Sequence, residues 1–200
     1  MDIKNIIFDF GGVLVDWNPR YLYQNHFKDE KEMEYFLMNI CTDEWNLEQD
    51  KGRPLAEGTR ILQQKFPEFH DLINLYYEQW ELMLRSDIPE TVSLLYTLKK
   101  KYKLYGLTNW SAETIPVAFE RYAFFKEFDG IVGSGVEKMI KPEKEFYHLL
   151  FNRYDIKAEH SIFIDDNIKN VVAGEEIGML SIHFQGAILL EEKLKALNII

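Results

Sequence analysis

The feature that most constrains the fold is a regular alternation of short apolar segments and helical segments from Asp87 to the C terminus. Segments of this length that alternate along a chain predict a parallel sheet with helices on both faces. An earlier apolar segment, at residues 3–9, is expected to supply the first strand. The later strand candidates are "YKLYGLTN", "FDGIVGSG", "SIFIDDN" and "MLSIHF".

A long helical region separates the first strand candidate from the others. Residues from about Asn18 to Ser86 read as consecutive helices, because "LAEGTRILQQKF" and "HDLINLYYEQWELML" each place apolar side chains on one face. We therefore expect an α/β protein with a doubly wound parallel-sheet core, residues 1–17 and 87–200, and an inserted all-helical domain, residues 18–86.

Composition narrows the classes of function. The 200 residues are 46% hydrophobic, which is ordinary for a globular chain. The formal charge of -10 disfavours non-specific binding to nucleic acid or anionic membranes. Cys41 is the only cysteine, which excludes an internal disulfide and a cysteine-rich zinc site.

The sequence carries no sign of a membrane segment or a signal peptide. Asp9 interrupts the early apolar run, and no run approaches the roughly 18 residues that a membrane span needs. We expect a cytoplasmic protein that does not bind membranes.

Reactive or polar side chains follow several of the predicted strands. In open α/β sheets, ligands bind beyond the carboxyl ends of the strands. If the sheet is parallel, these groups share one edge, and a lysine at the entry to a later helix reaches them from its loop. The residues are Asp9, Thr108, Asn109, Lys141, Asp165 and Asp166.

These groups suit phosphoryl transfer. Three converging carboxylates repel one another unless a cation lies between them. Oxygen ligands suit Mg²⁺, which takes one or two carboxylates, several waters and a substrate phosphate. Lys141 can neutralise phosphoryl oxygens, the Thr108 hydroxyl can donate to another, and Asp9 is then free to attack phosphorus. An aspartyl-phosphate that water hydrolyses would result.

Each motif alone also has a structural explanation. Thr108-Asn109 is typical of a helix cap, and Lys141-Pro142 is a common helix opening. In the order found here they resemble the haloacid dehalogenase-like superfamily over essentially the full length. The similar segments are "IIFDFGGVLVD", "LTN", "IKPEKEFY" and "IFIDDNIKNVVAGEEIGM". The helical insert after the first motif resembles that family's helical type of cap domain.

The resemblance implies roles for the residues that carry phosphate chemistry. Asp9 would be the nucleophile and a Mg²⁺ ligand. Thr108 would bind the phosphoryl group, with Asn109 beside it, and Lys141 would pair with Asp9 and the phosphate.

It also implies a set of metal ligands. Asp166 would bind the metal directly, and Asp165 would support it or reach the metal through water. Gly11 would contribute its backbone carbonyl, which any residue type can do.

Gly11 departs from the family's pattern. Phosphatases of the family usually carry a second Asp two positions after the nucleophile, as general acid/base, and losing a positioned proton donor typically costs about 10²–10⁴ in rate. A subset with a similar "FDxGG" or "FDxGN" motif includes sugar-phosphate hydrolases. Water is one substitute donor. Others are the carboxylates in "DEWNLEQDKGR", namely Asp43, Glu44, Glu48 and Asp50.

We therefore predict a Mg²⁺-dependent phosphatase of a small phosphorylated metabolite, with a sugar phosphate as the first candidate. Trp110 and Trp45 are candidates for lining its pocket, although packing explains both. A dehalogenase using the same Asp needs no metal, so Asp165-Asp166 argues against it. Two further classes stay open: a signalling receiver domain, and a phosphate-binding protein with little turnover.

Overall fold

The computed structural model describes residues 2–200, and its centre is a parallel sheet of five strands. These strands are β1 (Asn5–Phe8), β4 (Lys103–Thr108), β5 (Gly130–Gly133), β6 (Ser161–Asp165) and β7 (Leu180–His183). Their order across the sheet is β5-β4-β1-β6-β7. The predicted doubly wound α/β fold is confirmed.

Helices cover both faces of this sheet. Ile6 and Phe8 of β1 belong to one buried cluster and Ile7 to the opposite one, as the period of two in a strand requires. The helices after β3 (Leu84–Asp87) are α6 (Pro89–Lys99), α7 (Ile115–Arg121), α8 (Ser134–Glu137), α9 (Lys144–Tyr154), α10 (Ile168–Glu176) and α11 (Ala187–Ala196). Both faces of the central strand are therefore buried, so its apolar residues need not alternate with polar ones.

The helical region predicted from the sequence lies between two short antiparallel strands, β2 (Val15–Trp17) and β3. The predicted helical end at Ser86 is wrong, because Leu84 and Ser86 pair with β2. Its helices are α1 (Arg20–Tyr23), α2 (Glu30–Asn39), α3 (Asp43–Asp50), α4 (Leu55–Lys65) and α5 (His70–Glu78). Tyr76 packs edge-on against Trp45, which agrees with a packing role for the aromatic residues of α5. The division of the chain into a core and a cap domain stays a prediction.

The register of the sheet brings three strand ends to one edge. Phe8 lies opposite Gly106 of β4 and opposite Ile164 of β6. The residues that follow, Asp9 on one strand and Asp165 on its neighbour, are therefore level with each other. Within residues 2–200, no helix is both long enough and apolar enough to span a bilayer.

Candidate active site

Three carboxylates meet at this edge of the sheet. Asp9, Asp165 and Asp166 each place one oxygen within 4.8 Å of the others. Asp9 and Asp165 are buried, whereas Asp166 is exposed. The loop after β1 and the loop after β6 thus bring together residues that lie far apart in the sequence, as the strand pattern predicts.

Lys141 is the cation of the cluster. Its side chain is 1% exposed, and its Nζ lies 2.8 Å from Asp9 Oδ1 and 2.7 Å from Asp165 Oδ2. Burial lowers the pKa of Lys141, but the charges of Asp165 and Asp9 outweigh burial and the net shift is upward. The ammonium group therefore stays charged and holds both carboxylates in place.

Asp165 already has donors on both of its oxygens. Oδ2 accepts from Lys141, and Oδ1 accepts from the backbone N–H of Asn167 at 2.8 Å. The side-chain amide of Asn170 lies 3.1 and 3.2 Å from the two oxygens. These contacts show that Asp165 orients Lys141, and its expected role at the metal, as a support for Asp166 or through water, stays a prediction. Sequence reasoning missed Asn170, whose only signal was an amide one helical turn after the paired acids.

Asp166 packs against the loop after β1. A Cβ at Gly12, which has a φ of +73°, would lie 2.3 Å from Asp166 Oδ2, so only glycine leaves room for this carboxylate. Although the residue as a whole is exposed, partial burial of its carboxyl group raises the pKa of Asp166, the charge of Asp165 adds to the shift, and Lys141 opposes it.

The charges of the cluster do not balance. Three carboxylates face the single ammonium of Lys141. Burial raises the pKa of Asp9 to about 7, although Lys141 lowers it, and the charges of Asp165 and Asp166 raise it further. A donor set made only of oxygens with excess negative charge fits a hard divalent cation.

Thr108, at the end of β4, has an unpaired hydroxyl. The residue is 1% exposed, and its Oγ1 has no hydrogen-bond partner among the described residues. A buried hydroxyl without a partner is costly, and such groups often face a ligand. The side chain is therefore a fitting donor for an oxygen anion bound at this edge.

Asn109 contacts Lys141 through both ends of its amide. Its Nδ2 donates to the Lys141 carbonyl at 3.0 Å, and its Oδ1 accepts from the Lys141 backbone N–H at 2.8 Å. These bonds hold the lysine loop in position. Substrate binding by Asn109 stays a prediction, and its contacts add a positioning role.

A cavity of about 100 Å³ lies between the sheet edge and the helical region. Trp110 lines it, as proposed from the sequence, but Trp45 does not: its indole N–H donates to the Gly58 carbonyl inside the helical region. Trp17 and Trp80 were not anticipated, and within residues 2–200 Trp17 Nε1 is buried with no partner. The lining residues are Gly11, Trp17, Asn46, Asp50, Trp80, Asn109 and Trp110.

Gly11 faces open space. A Cβ built there meets no atom of the described chain within 4 Å. Packing therefore does not explain the missing second carboxylate in the first motif.

The chain matches a protein-family model over most of its length. A model described as haloacid dehalogenase-like hydrolase matches residues 3–178. Among curated proteins, the chain is 32% identical to the sesquiterpene phosphatase astK of Aspergillus oryzae, over 97% of this chain and 96% of that protein.

Solved structures of similar fold include a HAD family enzyme and a dehalogenase. One is a HAD family enzyme from Bacteroides thetaiotaomicron in complex with magnesium and inorganic phosphate, with a TM-score of 0.67 and 23% identity, covering 90% of this chain and 93% of that one. Another is a dehalogenase, with a TM-score of 0.67 and 16% identity, covering 92% of this chain and 85% of that one. These likenesses concern the fold.

Proposed function

The chain belongs to the haloacid dehalogenase-like hydrolases, and on that premise we propose that it is a Mg²⁺-dependent phosphatase of a small phosphate monoester. The observation that carries the proposal is the cluster of Asp9, Asp165 and Asp166 around a single buried lysine. The hydroxyl of Thr108, which has no partner within residues 2–200, lies at the end of the neighbouring strand. Together these groups supply a nucleophile, excess negative charge that suits a cation, and a donor for an anion.

Asp9, Asp166 and the backbone carbonyl of Gly11 would hold Mg²⁺, which would neutralise phosphoryl oxygens and favour attack on phosphorus. Asp165 would act through Lys141, because its oxygens already accept from Lys141, Asn167 and Asn170.

Asp9 is oriented for attack by its own surroundings. Its Oδ1 accepts from the backbone N–H of Phe10 at 2.7 Å and lies 2.8 Å from Lys141 Nζ. A carboxylate oxygen of Asp9 would form a bond to phosphorus as the bond to the leaving oxygen breaks, which gives an aspartyl-phosphate. Water would then attack that phosphorus and release phosphate and free Asp9.

The paired acids at the end of β6 favour a phosphatase over a dehalogenase. A carbon-centred displacement of halide by Asp9 gains nothing from a divalent cation, whereas a phosphate dianion beside a carboxylate cluster requires one. Release of halide that survives a metal chelator would favour the dehalogenase.

We propose two substrate classes for this site. A sugar phosphate is the first candidate, from the resemblance of the first motif. The walls formed by Trp17, Trp80 and Trp110 favour a leaving group with apolar surface, and the name of the astK relative makes a terpenoid monophosphate the second candidate. The charge of -10 disfavours nucleic acid as a partner, and the cytoplasm is the proposed location.

A phosphate-release screen tests the proposal. Sugar phosphates and terpenoid monophosphates would be incubated with the protein and Mg²⁺, with and without chelator. We expect release that the chelator abolishes and that Asp9→Asn abolishes on every substrate. Glu48→Gln, which changes an exposed carboxylate of α3, is the matched control and should retain full activity.

Two results would contradict the proposal. Asp9→Asn with the same turnover as the native protein would exclude Asp9 as nucleophile. A native protein that binds phosphorylated ligands but releases no phosphate with Mg²⁺ would instead indicate a binding protein.

A further inference from the structure

We propose that Asp50, the last residue of α3, donates the proton to the leaving oxygen when the phosphate ester is cleaved. This inference rests on the proposed phosphatase function. An alkoxide is a poor leaving group, so a positioned acid beside the scissile bond accelerates its departure. The residues at the sheet edge supply a nucleophile, a fixed cation and an anion donor, and a proton source is still required.

The cavity lined by Gly11, two residues after Asp9, contains one candidate acid. Of the lining residues within the described part of the chain, Asp50 is the only one that titrates in the ordinary pH range. On the core side of the same cavity, Asn109 and Trp110 carry no acid, and Gly11 has no side chain although a Cβ there would meet nothing within 4 Å. The acid available to this cavity therefore comes from the helical region.

The other carboxylates of α3 do not face this cavity. Asp43, Glu44 and Glu48 are all exposed, and the first two lie in the first turn of the helix. Thr42 caps that turn by accepting from the Trp45 backbone N–H, and acidic residues are favourable at a helix N-terminus. The positions of Asp43 and Glu44 are therefore explained by helix stability alone, and Glu48 faces solvent.

Asp50 is held in a fixed orientation. Its Oδ1 accepts from the backbone N–H of Ser111 at 3.0 Å, and its Oδ2 accepts from Asn46 Nδ2 at 3.0 Å. Tyr77 fixes that amide, because its hydroxyl donates to Asn46 Oδ1 at 2.8 Å while it accepts from Gln49 Nε2 at 3.0 Å. A carboxyl group has about four acceptor sites, so two sites remain, one of them for a proton.

The surroundings of Asp50 favour its protonated form. Burial raises the pKa of Asp50 to about 8, the Ser111 hydrogen bond lowers it, and the charge of Asp9 raises it. Its place in the last turn of α3 adds to this, because a negative charge is unfavourable at a helix C-terminus. The group is thus an acid that holds its proton at neutral pH.

The proton that Asp50 loses in the first step of the reaction is regained in the second. As Asp9 bonds to phosphorus, the bond from phosphorus to the ester oxygen breaks, and Asp50 gives its proton to that oxygen, which leaves as an alcohol. Asp50 is then a carboxylate. When water attacks the aspartyl-phosphate, Asp50 takes one of its protons, which restores the acid and yields inorganic phosphate.

A purely structural role for Asp50 is the competing explanation. Its carboxyl accepts from Ser111, and its backbone carbonyl accepts from the Ser134 hydroxyl, so both contacts tie α3 to the core. Loss of such a tie would slow every substrate alike, whereas loss of an acid slows only substrates whose leaving group needs a proton.

Benzyl phosphate and 4-nitrophenyl phosphate separate the two roles. They carry similar rings, but benzyl alcohol leaves as a strongly basic alkoxide unless protonated, whereas nitrophenolate leaves without a proton. For Asp50→Asn with Mg²⁺, we expect kcat/KM on benzyl phosphate to fall by about 10²–10⁴ and on 4-nitrophenyl phosphate by less than about tenfold. Glu48→Gln should change neither value.

Ser134→Ala is the control for the structural tie, because it removes the contacts of the Ser134 hydroxyl with the Asp50 carbonyl and with the Trp110 backbone N–H and leaves the acid in place. The ratio of the two rates should stay at its native value. If Asp50→Asn does not fold, Asp50→Ala replaces it, since it places no second donor against the Asn46 amide.

The outcomes are distinct. Equal losses on both substrates, or no loss on benzyl phosphate, would overturn the role of Asp50 while leaving the phosphatase intact. A change of the rate ratio in Ser134→Ala would overturn it as well. A native protein inactive on both substrates, or Asp9→Asn active on either, would instead overturn the proposed function.

Discussion

At the scale of single residues, Lys141 carries the largest energetic consequence. It is buried between Asp9 and Asp165, and no other described cation contacts either carboxylate. Removing one partner of a buried ion pair leaves an uncompensated charge, which costs about 3–5 kcal/mol. We expect Lys141→Met to lower the free energy of unfolding in urea by about that amount.

Lys144→Met is the matched control for that prediction. Lys144 pairs with Glu176, but both side chains are about half exposed, and such surface pairs contribute about 0–1 kcal/mol. Similar losses in the two variants would mean that the Lys141 pairs are solvated and do not hold the site.

Substitution of Thr108 is expected to reduce activity without reducing stability. Because its hydroxyl has no partner within residues 2–200, Thr108→Val should leave the free energy of unfolding unchanged or higher. A hydrogen bond to a charged group contributes about 1.5–3 kcal/mol, so kcat/KM should fall about 10- to 100-fold.

Thr91→Val is the matched control for Thr108→Val, because it removes a buried hydroxyl outside the site. Thr91, on α6, is also fully buried with an unpaired hydroxyl among the described residues, but it is not part of the site. Its substitution should spare both stability and activity. If Thr108→Val keeps full kcat/KM, the hydroxyl does not contact substrate.

Asp50 makes stability depend on pH. Its pKa is raised from 3.8 to about 8 by burial, so the folded protein binds a proton that the unfolded chain has released. This contribution is complete below about pH 4 and is lost as pH rises to about 8. Between pH 5 and pH 8, the free energy of unfolding measured with urea should therefore fall less for Asp50→Asn than for the native protein.

Glu48→Gln provides the reference, because Glu48 is exposed on the same helix. Its pH dependence should match that of the native protein. Identical curves for the native protein and Asp50→Asn would show that Asp50 is ionised and solvated in the folded state.

At the scale of elements, the loop after β1 depends on Gly12. Alanine there would adopt a positive φ and place its Cβ 2.3 Å from Asp166 Oδ2. The backbone strain costs of order 1–3 kcal/mol, and the carboxylate must move. We expect Gly12→Ala to lose stability and to need a higher Mg²⁺ concentration for half-maximal activity.

Gly178→Ala is the matched control, because it introduces backbone strain without displacing Asp166. Gly178 has a φ of +94°, but its Cβ would meet only the Ala158 Cβ, at 3.9 Å. This variant should lose similar stability with an unchanged Mg²⁺ requirement. A normal Mg²⁺ requirement in Gly12→Ala would indicate that Asp166 is not a metal ligand.

The same elements explain what the sequence could predict. Parallel strands end at one edge, so the convergence of Asp9, Thr108 and Asp166 follows from strand order and length. Periodicity also indicated the helical insert, since its apolar stripes are regular. These features depend on local patterns that a single chain displays directly.

Other features depend on how side chains point and how the helices sit on the sheet edge. The Asn109 amide could equally have capped a helix, and its contact with the Lys141 backbone requires the two loops to be adjacent. Four carboxylates of α3 looked alike in sequence, and only packing places Asp50 in the cavity. Trp17 was missed because nothing local marks its indole as unpaired.

At the scale of the whole molecule, the parts meet across a single cavity. The helical region contributes Asp50 to this cavity and two polar ties, Lys51 to Glu143 and the Leu55 backbone N–H to Glu113. The sheet edge contributes Gly11 and Asn109, which lie next to the acidic cluster in the sequence or contact its lysine. A chain with a net charge of -10 would repel a phosphate ester at an acidic edge unless a cation bound there. Metal dependence is thus a property that the entire charge distribution requires.

The most direct test of the account is the mass of the peptide that contains Asp9, measured after acid quenching of the protein during turnover of 4-nitrophenyl phosphate with Mg²⁺. The account predicts an added mass of one phosphoryl group on Asp9 in the native protein, absent with chelator and absent in Asp9→Asn. Phosphate release without that adduct, or with the adduct on another residue, would contradict it.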